Sequence, residues 1–265
     1  MIPIALTIAG SDPSGGAGLQ ADLKTFHQFG VYGMSVITLV TVQNTCRVSA
    51  VEPLPANLVR AQLDAVLEDL PPQAAKTGAL GTREVIEAVA EQAAQFTFPL
   101  VVDPVLISKH GAPLLQPDAL ASLKSKLFPR AFLVTPNVHE AMALAGIEFS
   151  GQLSLEEAAK AIADLGAKAV LVKGGHLVAR ATDLLYADGR FCAFPGERIE
   201  TRHTHGTGCT FSAAITAGLA KGGTLFDAVT DAKKFITNAI RTNPGLGHGC
   251  GPVNHFALSN TDDVA

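Results

Sequence analysis

The run His205-Gly206-Thr207-Gly208-Cys209-Thr210 places two glycines and a thiol directly ahead of an uncharged segment, Thr210 to Ala220. Glycines leave successive backbone N–H groups open, and a helix starting there turns its positive end to the same point. Such a turn makes an anion hole for the charge that develops on a transferring phosphoryl group. Cys209 falls in the first turn, where the helix dipole lowers a thiol's proton affinity and favours thiolate. A small buried Cys at a helix start is the plain alternative. It leaves the flanking glycines without a purpose.

A second glycine-rich stretch, Gly10 to Asp22 (GSDPSGGAGLQAD), follows the first apolar run. Gly16-x-Gly18-x-x-Ala21 mimics a dinucleotide fingerprint, but that motif needs an acid about 20 residues on. No Asp or Glu occurs between Asp22 and Glu52. A P-loop needs Gly-Lys-Ser/Thr, which Gly15-Gly16-Ala17 does not supply. Both templates fail. Asp22 falls on the apolar stripe formed by Leu19, Leu23, Phe26 and Phe29. A carboxylate there must be hydrogen-bonded or paired, by a backbone turn or by a ligand.

Other candidates sit where apolar runs end. Gln43 and Asn44 follow one such run, and an amide suits a heterocycle bearing an amino group beside a ring nitrogen. Asp103 closes LVVDPV, a place for a helix cap or for Mg2+, and the polar Ser108-Lys109-His110-Gly111 beyond it reads as a flap or a surface loop. Asn137 with Glu140 is a capping box, and Glu140 also suits a water-bound Mg2+ at a phosphate site. Lys173-Gly174-Gly175 offers a cation and open backbone.

These residues need a scaffold that brings strand ends together. Ile2 to Ala9, Met34 to Val42, Leu100 to Val105, Ala131 to Thr135 and Ala169 to Lys173 read as strands. LVVDPV and AVLVKGG are apolar on both faces, as in parallel sheets covered by helices on each side. Ser154 to Leu165, opening with Ser154 and Glu157 as a capping box, and Leu225 to Ile240 read as helices. Asp188-Gly189 between Thr182–Ala187 and Arg190–Phe194 signals a late hairpin. The reading is a single α/β domain over residues 1–258, with a frayed tail at 259–265. Ligands of such sheets bind beyond the carboxyl ends of the strands.

Composition narrows the partners. The chain has 265 residues, enough for a sizeable core, and a net charge of -4, which gives no footprint for nucleic acid or an acidic membrane. Any phosphorylated ligand must be held by local dipoles and a few cations. Four scattered cysteines argue against a zinc site or disulfide scaffold. The opening MIPIALTIAG lacks a basic region and is too short for a signal peptide. No continuously apolar stretch reaches membrane-spanning length, and the cytoplasm is the expected compartment.

The segments IAGSDPSGGAGLQADLKTF, VQNT, KTG, VVDPV, TPN, VKGGH and HGTGCTFSAA cover nearly the whole chain. With them the sequence resembles the hydroxymethylpyrimidine/phosphomethylpyrimidine kinases of thiamin biosynthesis, in the ribokinase-like superfamily. The resemblance implies a central, mostly parallel sheet flanked by helices. It implies two phosphoryl transfers from Mg-ATP, forming first a phosphate ester and then a diphosphate. Gly10, Gln43 and Asp22 are then expected at the pyrimidine or the loop that shapes its pocket. Gly206 and Gly208 frame the anion hole, and Cys209 takes the place of an aspartate base in sugar kinases. Lys173, Asn137 and Thr207 are expected by the ATP phosphates, with Asp103 and Glu140 organising Mg2+ through water. A homodimer is a family-level expectation.

Two positions vary from relatives. Ala79 stands where they often carry Met, and Ser108 stands where pyridoxal-phosphorylating cousins carry a flap cysteine. A pyridoxine or pyridoxal kinase on the same scaffold remains the enzymatic alternative. A non-catalytic pyrimidine-binding sensor is the other.

Overall fold

In a computed structural model describing residues 2–174 and 181–258, nine strands form a single sheet. Chain order is β1 (Ile4–Ser11), α1 (Gly18–Gln28), β2 (Tyr32–Gln43), β3 (Val48–Pro53), α2 (Ala56–Asp69), β4 (Ala74–Thr77), α3 (Arg83–Ala93) and β5 (Leu100–Val102). Then come α4 (Ala119–Ser122), β6 (Leu133–Val134), α5 (Val138–Ala145), α6 (Gln152–Asp164) and β7 (Ala169–Val172). A hairpin of β8 (Asp183–Ala187) and β9 (Arg190–Phe194) precedes α7 (Thr207–Ala220) and α8 (Leu225–Arg241).

The strand order is β3-β2-β1-β4-β5-β6-β7-β8-β9. The six strands from β2 to β7 are parallel, while β3, β8 and β9 pair antiparallel at the two edges. Because side chains alternate along a strand, each strand feeds two cores. Leu6, Ile8, Leu100, Val102 and Val134 pack under α2, α3, α5 and α6. Ala5, Val101, Leu133 and Leu171 pack under α1, α7 and α8. This double coverage is why the central strands carry so little polarity.

The expected strands are all present, with shifted ends. The first runs Ile4–Ser11 rather than from Ile2, and the third stops at Val102 because Pro104 offers no N–H to the ladder. Lys173 lies past the end of β7 and joins Asn137 in an isolated bridge. The Asp188-Gly189 turn has positive φ at both residues, 49° and 73°, which matches the twist of a tight hairpin.

One cap is corrected. The helix expected from Ser154 starts at Gln152, with Gly151 as its N-cap. The Ser154 hydroxyl is turned inward, donating to Gly151 O at 2.7 Å and accepting from Ser150 N at 3.1 Å, so Ser154 and Glu157 form no capping box. The Asn137–Glu140 box has both arms, at 2.9 and 2.8 Å. Gly175 and the 259–265 tail lie outside the described residues.

Candidate active site

Parallel strands deliver their carboxyl ends to one side of the sheet, where a cavity of about 640 Å3 opens. Gly10, Gln43, Asp103, Asn137, Glu140 and Lys173 all border it. So does the start of α7, from His205 through Cys209.

The helix α7 begins three residues earlier than its uncharged segment, so Thr207, Gly208 and Cys209 form its first turn. Gly206 caps it at φ 77°, and a Cβ there would lie 1.8 Å from Gly16 O. Only glycine lets the two glycine-rich turns touch. A Cβ on Gly208 would lie 3.2 Å from Lys173 Nζ and 3.7 Å from Asp103 Oδ2. The bare first-turn backbone therefore faces the strand-end charges across a gap of one small group. Thr207 borders the cavity as well, and its hydroxyl donates to Thr204 O at 2.8 Å.

Lys173 Nζ binds Asp103 Oδ1 at 2.8 Å, and Asp103 also accepts from Thr135 Oγ1 at 3.3 Å and Ser212 Oγ at 3.4 Å. Glu140 is almost fully buried; burial, with Asp103 nearby, pushes its carboxyl up to about 7 against the pull of Lys173. Burial works against the Lys173 ammonium, but Asp103 and Glu140 outweigh it and hold its proton more tightly than usual. Two carboxylates share one lysine here, an excess of negative charge that a cation relieves. Among the described residues no three His, Cys, Asp or Glu side chains converge as a metal cage. Two carboxylates without a cage fit Mg2+, which keeps waters and completes its shell with phosphate oxygens.

Beneath α7 lies an ion pair that sequence reasoning did not assign. Lys76, at the carboxyl half of β4, is fully buried and binds Asp22 Oδ2 at 2.8 Å, while Thr7 Oγ1 donates to the same oxygen at 2.6 Å. Asp22, expected at the pyrimidine or its loop, does not border the cavity; Lys76 stands between them. The sequence held one clue: a carboxylate on an apolar stripe must be hydrogen-bonded or paired, and here Thr7 and Lys76 do both.

Cys209 overturns one electrostatic expectation. Burial pushes its thiol up to about 12, with Asp22 and Asp103 adding to the effect, while Lys76 and an N–H from Gly18 pull the other way. Burial exceeds the helix dipole, so the resting group is a neutral thiol.

Gln43 borders the cavity beside His205, its Nε2 3.1 Å from His205 Nε2. The loop after β1 is organised by Asp12, which accepts from Ser14 N, Ser14 Oγ and Ala17 N at 2.7–2.9 Å. Two amides of this loop, those of Ser14 and Ala17, are thus committed to Asp12. Gly10 owes its missing side chain to packing, since a Cβ would lie 2.5 Å from Leu39 Cδ1. The Ser108–Gly111 segment folds as a turn, and His110 Nε2 contacts Thr45 O at 2.9 Å.

The family model for phosphomethylpyrimidine kinase matches residues 12–254. A hydroxymethylpyrimidine/phosphomethylpyrimidine kinase of Haemophilus influenzae is 51% identical over 260 residues, covering 96% of this chain and 97% of its own. A Bacillus subtilis protein of the same name is 48% identical, covering 96% and 95%. Among solved structures, an ADP complex of Bacillus subtilis pyridoxal kinase superposes with TM-score 0.91 at 40% identity, covering 98% of this chain and 100% of that one. These matches run almost the full length of both partners, and the glycine turns and strand-end charges border one cavity. The chain belongs to the phosphomethylpyrimidine kinase family.

Proposed function

We propose that this chain uses ATP to phosphorylate 4-amino-5-hydroxymethyl-2-methylpyrimidine to its monophosphate and then to the diphosphate, in thiamin biosynthesis. The observation that carries the reading is the first turn of α7, bare at Gly206 and Gly208, set against Lys173 and Asp103 with Cys209 in the same turn. Curated relatives with the pyrimidine kinase name reach 51% identity, against 40% for the pyridoxal kinase structure.

Phosphoryl transfer depends mainly on positioning and charge stabilisation. The α7 amides receive the charge on the migrating group, and Lys173 with Asn137 holds the donor's phosphates. Asp103 and Glu140 hold Mg2+, which when bound neutralises phosphate charge. Gln43 reads the heterocycle, and Gly10 keeps the wall beside it low. Cys209, as a neutral thiol, orients the hydroxyl by a hydrogen bond; the hydroxyl proton leaves late, as the oxygen becomes acidic on bonding to phosphorus, and passes to an oxygen of the phosphoryl group. In the second transfer the acceptor is already anionic and needs no base.

Lys76 and Asp22 support this arrangement from below. The free cysteines fit a reducing cytoplasm. Val40 and Val42, exposed on β2 beside the edge strand β3, provide apolar surface for a homodimer. Mass spectrometry of products formed from Mg-ATP and the pyrimidine alcohol tests the reading, with pyridoxine in parallel. The monophosphate followed by the diphosphate is expected. A higher kcat/KM for pyridoxine, or binding without ADP release, contradicts it.

A further inference from the structure

Gln43 stands at the cavity with one side of its amide already committed. Its nitrogen end lies 3.1 Å from His205 Nε2 and its oxygen end 3.3 Å from Thr41 Oγ1. His205 Nε2 also faces Asp12 Oδ2 at 2.8 Å, and His205 and Asp12 are both buried. The two ends of an amide have nearly the same shape, so the hydrogen-bond partners decide which end faces which.

The accounting starts at Asp12. Its carboxyl accepts from the Ser14 amide and hydroxyl and from the Ala17 amide, and donates nowhere among the described residues. That is the pattern of an ionised carboxylate. Burial would raise this carboxyl, but the bonds from His205 and Ser14 outweigh burial and hold it below the usual range. An acceptor of this kind at 2.8 Å requires the proton of His205 to sit on Nε2. His205 Nδ1 is buried without a partner among the described residues, which disfavours a second proton there.

An amide nitrogen facing that Nε2–H sets donor against donor. Turning the amide resolves it. Gln43 Oε1 then shares the His205 Nε2–H with Asp12 Oδ2, at the longer of the two distances, and the Gln43 amine donates to Thr41 Oγ1, whose hydroxyl donates to Ser11 O at 3.0 Å. In this order no donor faces a donor from Asp12 to Ser11.

We propose that Asp12 and His205 are positioning residues that lock the Gln43 amide with its oxygen toward His205 and its nitrogen toward Thr41, and so fix which way round the heterocycle binds. The inference rests on the Gln43 contact proposed above. The remaining N–H of the amide meets an acceptor ring nitrogen on the Thr41 side. The remaining lone pair of the oxygen meets an exocyclic amino group on the His205 side. A 4-oxo analogue, with a carbonyl and a ring N–H in those places, opposes both and is rejected.

The test is a double-mutant cycle of His205→Phe and Gln43→Met, read as kcat/KM for the 4-amino and 4-oxo pyrimidine alcohols. A site built to hydrogen-bond one pattern discriminates by about 100-fold or more against its reverse. In His205→Phe that ratio falls to below about 10, and it falls through the two KM values rather than through the ratio of kcat, because the amide now turns freely. In Gln43→Met discrimination is lost, and His205→Phe adds nothing further. A wild-type ratio in His205→Phe, or losses that multiply in the double variant, overturns the proposal. Long-range 1H–15N spectra of the unaltered protein give an arm that needs no variant. A proton on Nε2 supports the relay, and a proton on Nδ1 overturns it. Unchanged pyrimidine affinity in Gln43→Met has a different meaning: it removes the contact itself and this inference with it.

Discussion

At Cys209 two effects oppose each other, and their sizes decide the role of the sulfur. The helix start and Lys76 favour thiolate; burial, with Asp22 and Asp103, favours thiol and prevails, pushing the group up to about 12. Cys209→Ala is therefore expected to lower kcat for the first phosphorylation by about 100-fold, as for a misplaced reacting group, with pyrimidine KM within a few-fold. Single-turnover kinetics check this; a near-normal rate removes Cys209 from the chemistry. The loss is smaller for the second phosphorylation, whose acceptor is already ionised. Cys209, Lys173, Asp103 and Glu140 were legible in the sequence because each closes an apolar run or opens a helix, a place the chain marks locally. The Lys76–Asp22 pair spans 54 positions and the His205–Asp12 pair 193, and no local pattern announces such partners.

The first turn of α7 separates function from stability. Gly208 lies inside the helix, and a Cβ there meets no backbone. Ala exceeds Gly in helix propensity by about 1 kcal/mol, so Gly208→Ala is expected to hold or raise Tm. Its methyl enters the gap before Lys173 and Asp103, and kcat falls at least about 100-fold, as for loss of an oxyanion donor. Thermal melts beside initial rates read both, and full activity in a stable Gly208→Ala protein contradicts the anion hole.

One turn further, His255 Nε2 lies 3.2 Å from Thr210 Oγ1. Burial pushes this imidazole down to about 4, with Lys24 adding to it. The unfolded chain takes up a proton near pH 6.5 that the folded chain refuses until about pH 4. Stability accordingly falls as pH falls through that window. Urea midpoints at pH 7 and pH 5 are expected to differ less in His255→Gln than in wild type, by about 2 kcal/mol at ~1.4 kcal/mol per unit. An unchanged difference contradicts the burial argument. Elements were readable where periodicity and caps agreed, as in α8 and the Asn137 box. They were misread where one residue type serves two purposes, as Ser154 does by bonding inward instead of capping.

Across the whole molecule, the Lys76–Asp22 pair joins β4 to α1 through the core between the sheet and α7. Lys76→Met leaves a buried carboxylate unpaired and is expected to cost about 3–5 kcal/mol, while Lys76→Met with Asp22→Asn recovers much of it. Denaturant curves on the two variants decide; equal losses contradict the pairing. The parallel sheet was legible from continuous apolar runs, and with it the side on which the cavity opens. The short strands β4 and β6 contribute as much to the site as the long ones, yet four and two residues carry too little periodicity to locate their ends.

The most direct measurement is a crystal structure with a non-hydrolysable ATP analogue and the pyrimidine alcohol bound together. The terminal phosphate should accept from the amides at Gly208 and Cys209 with Lys173 alongside, and the substrate hydroxyl should lie within reach of Cys209 Sγ. A terminal phosphate held away from α7, with that thiol facing only packed side chains, would contradict the account.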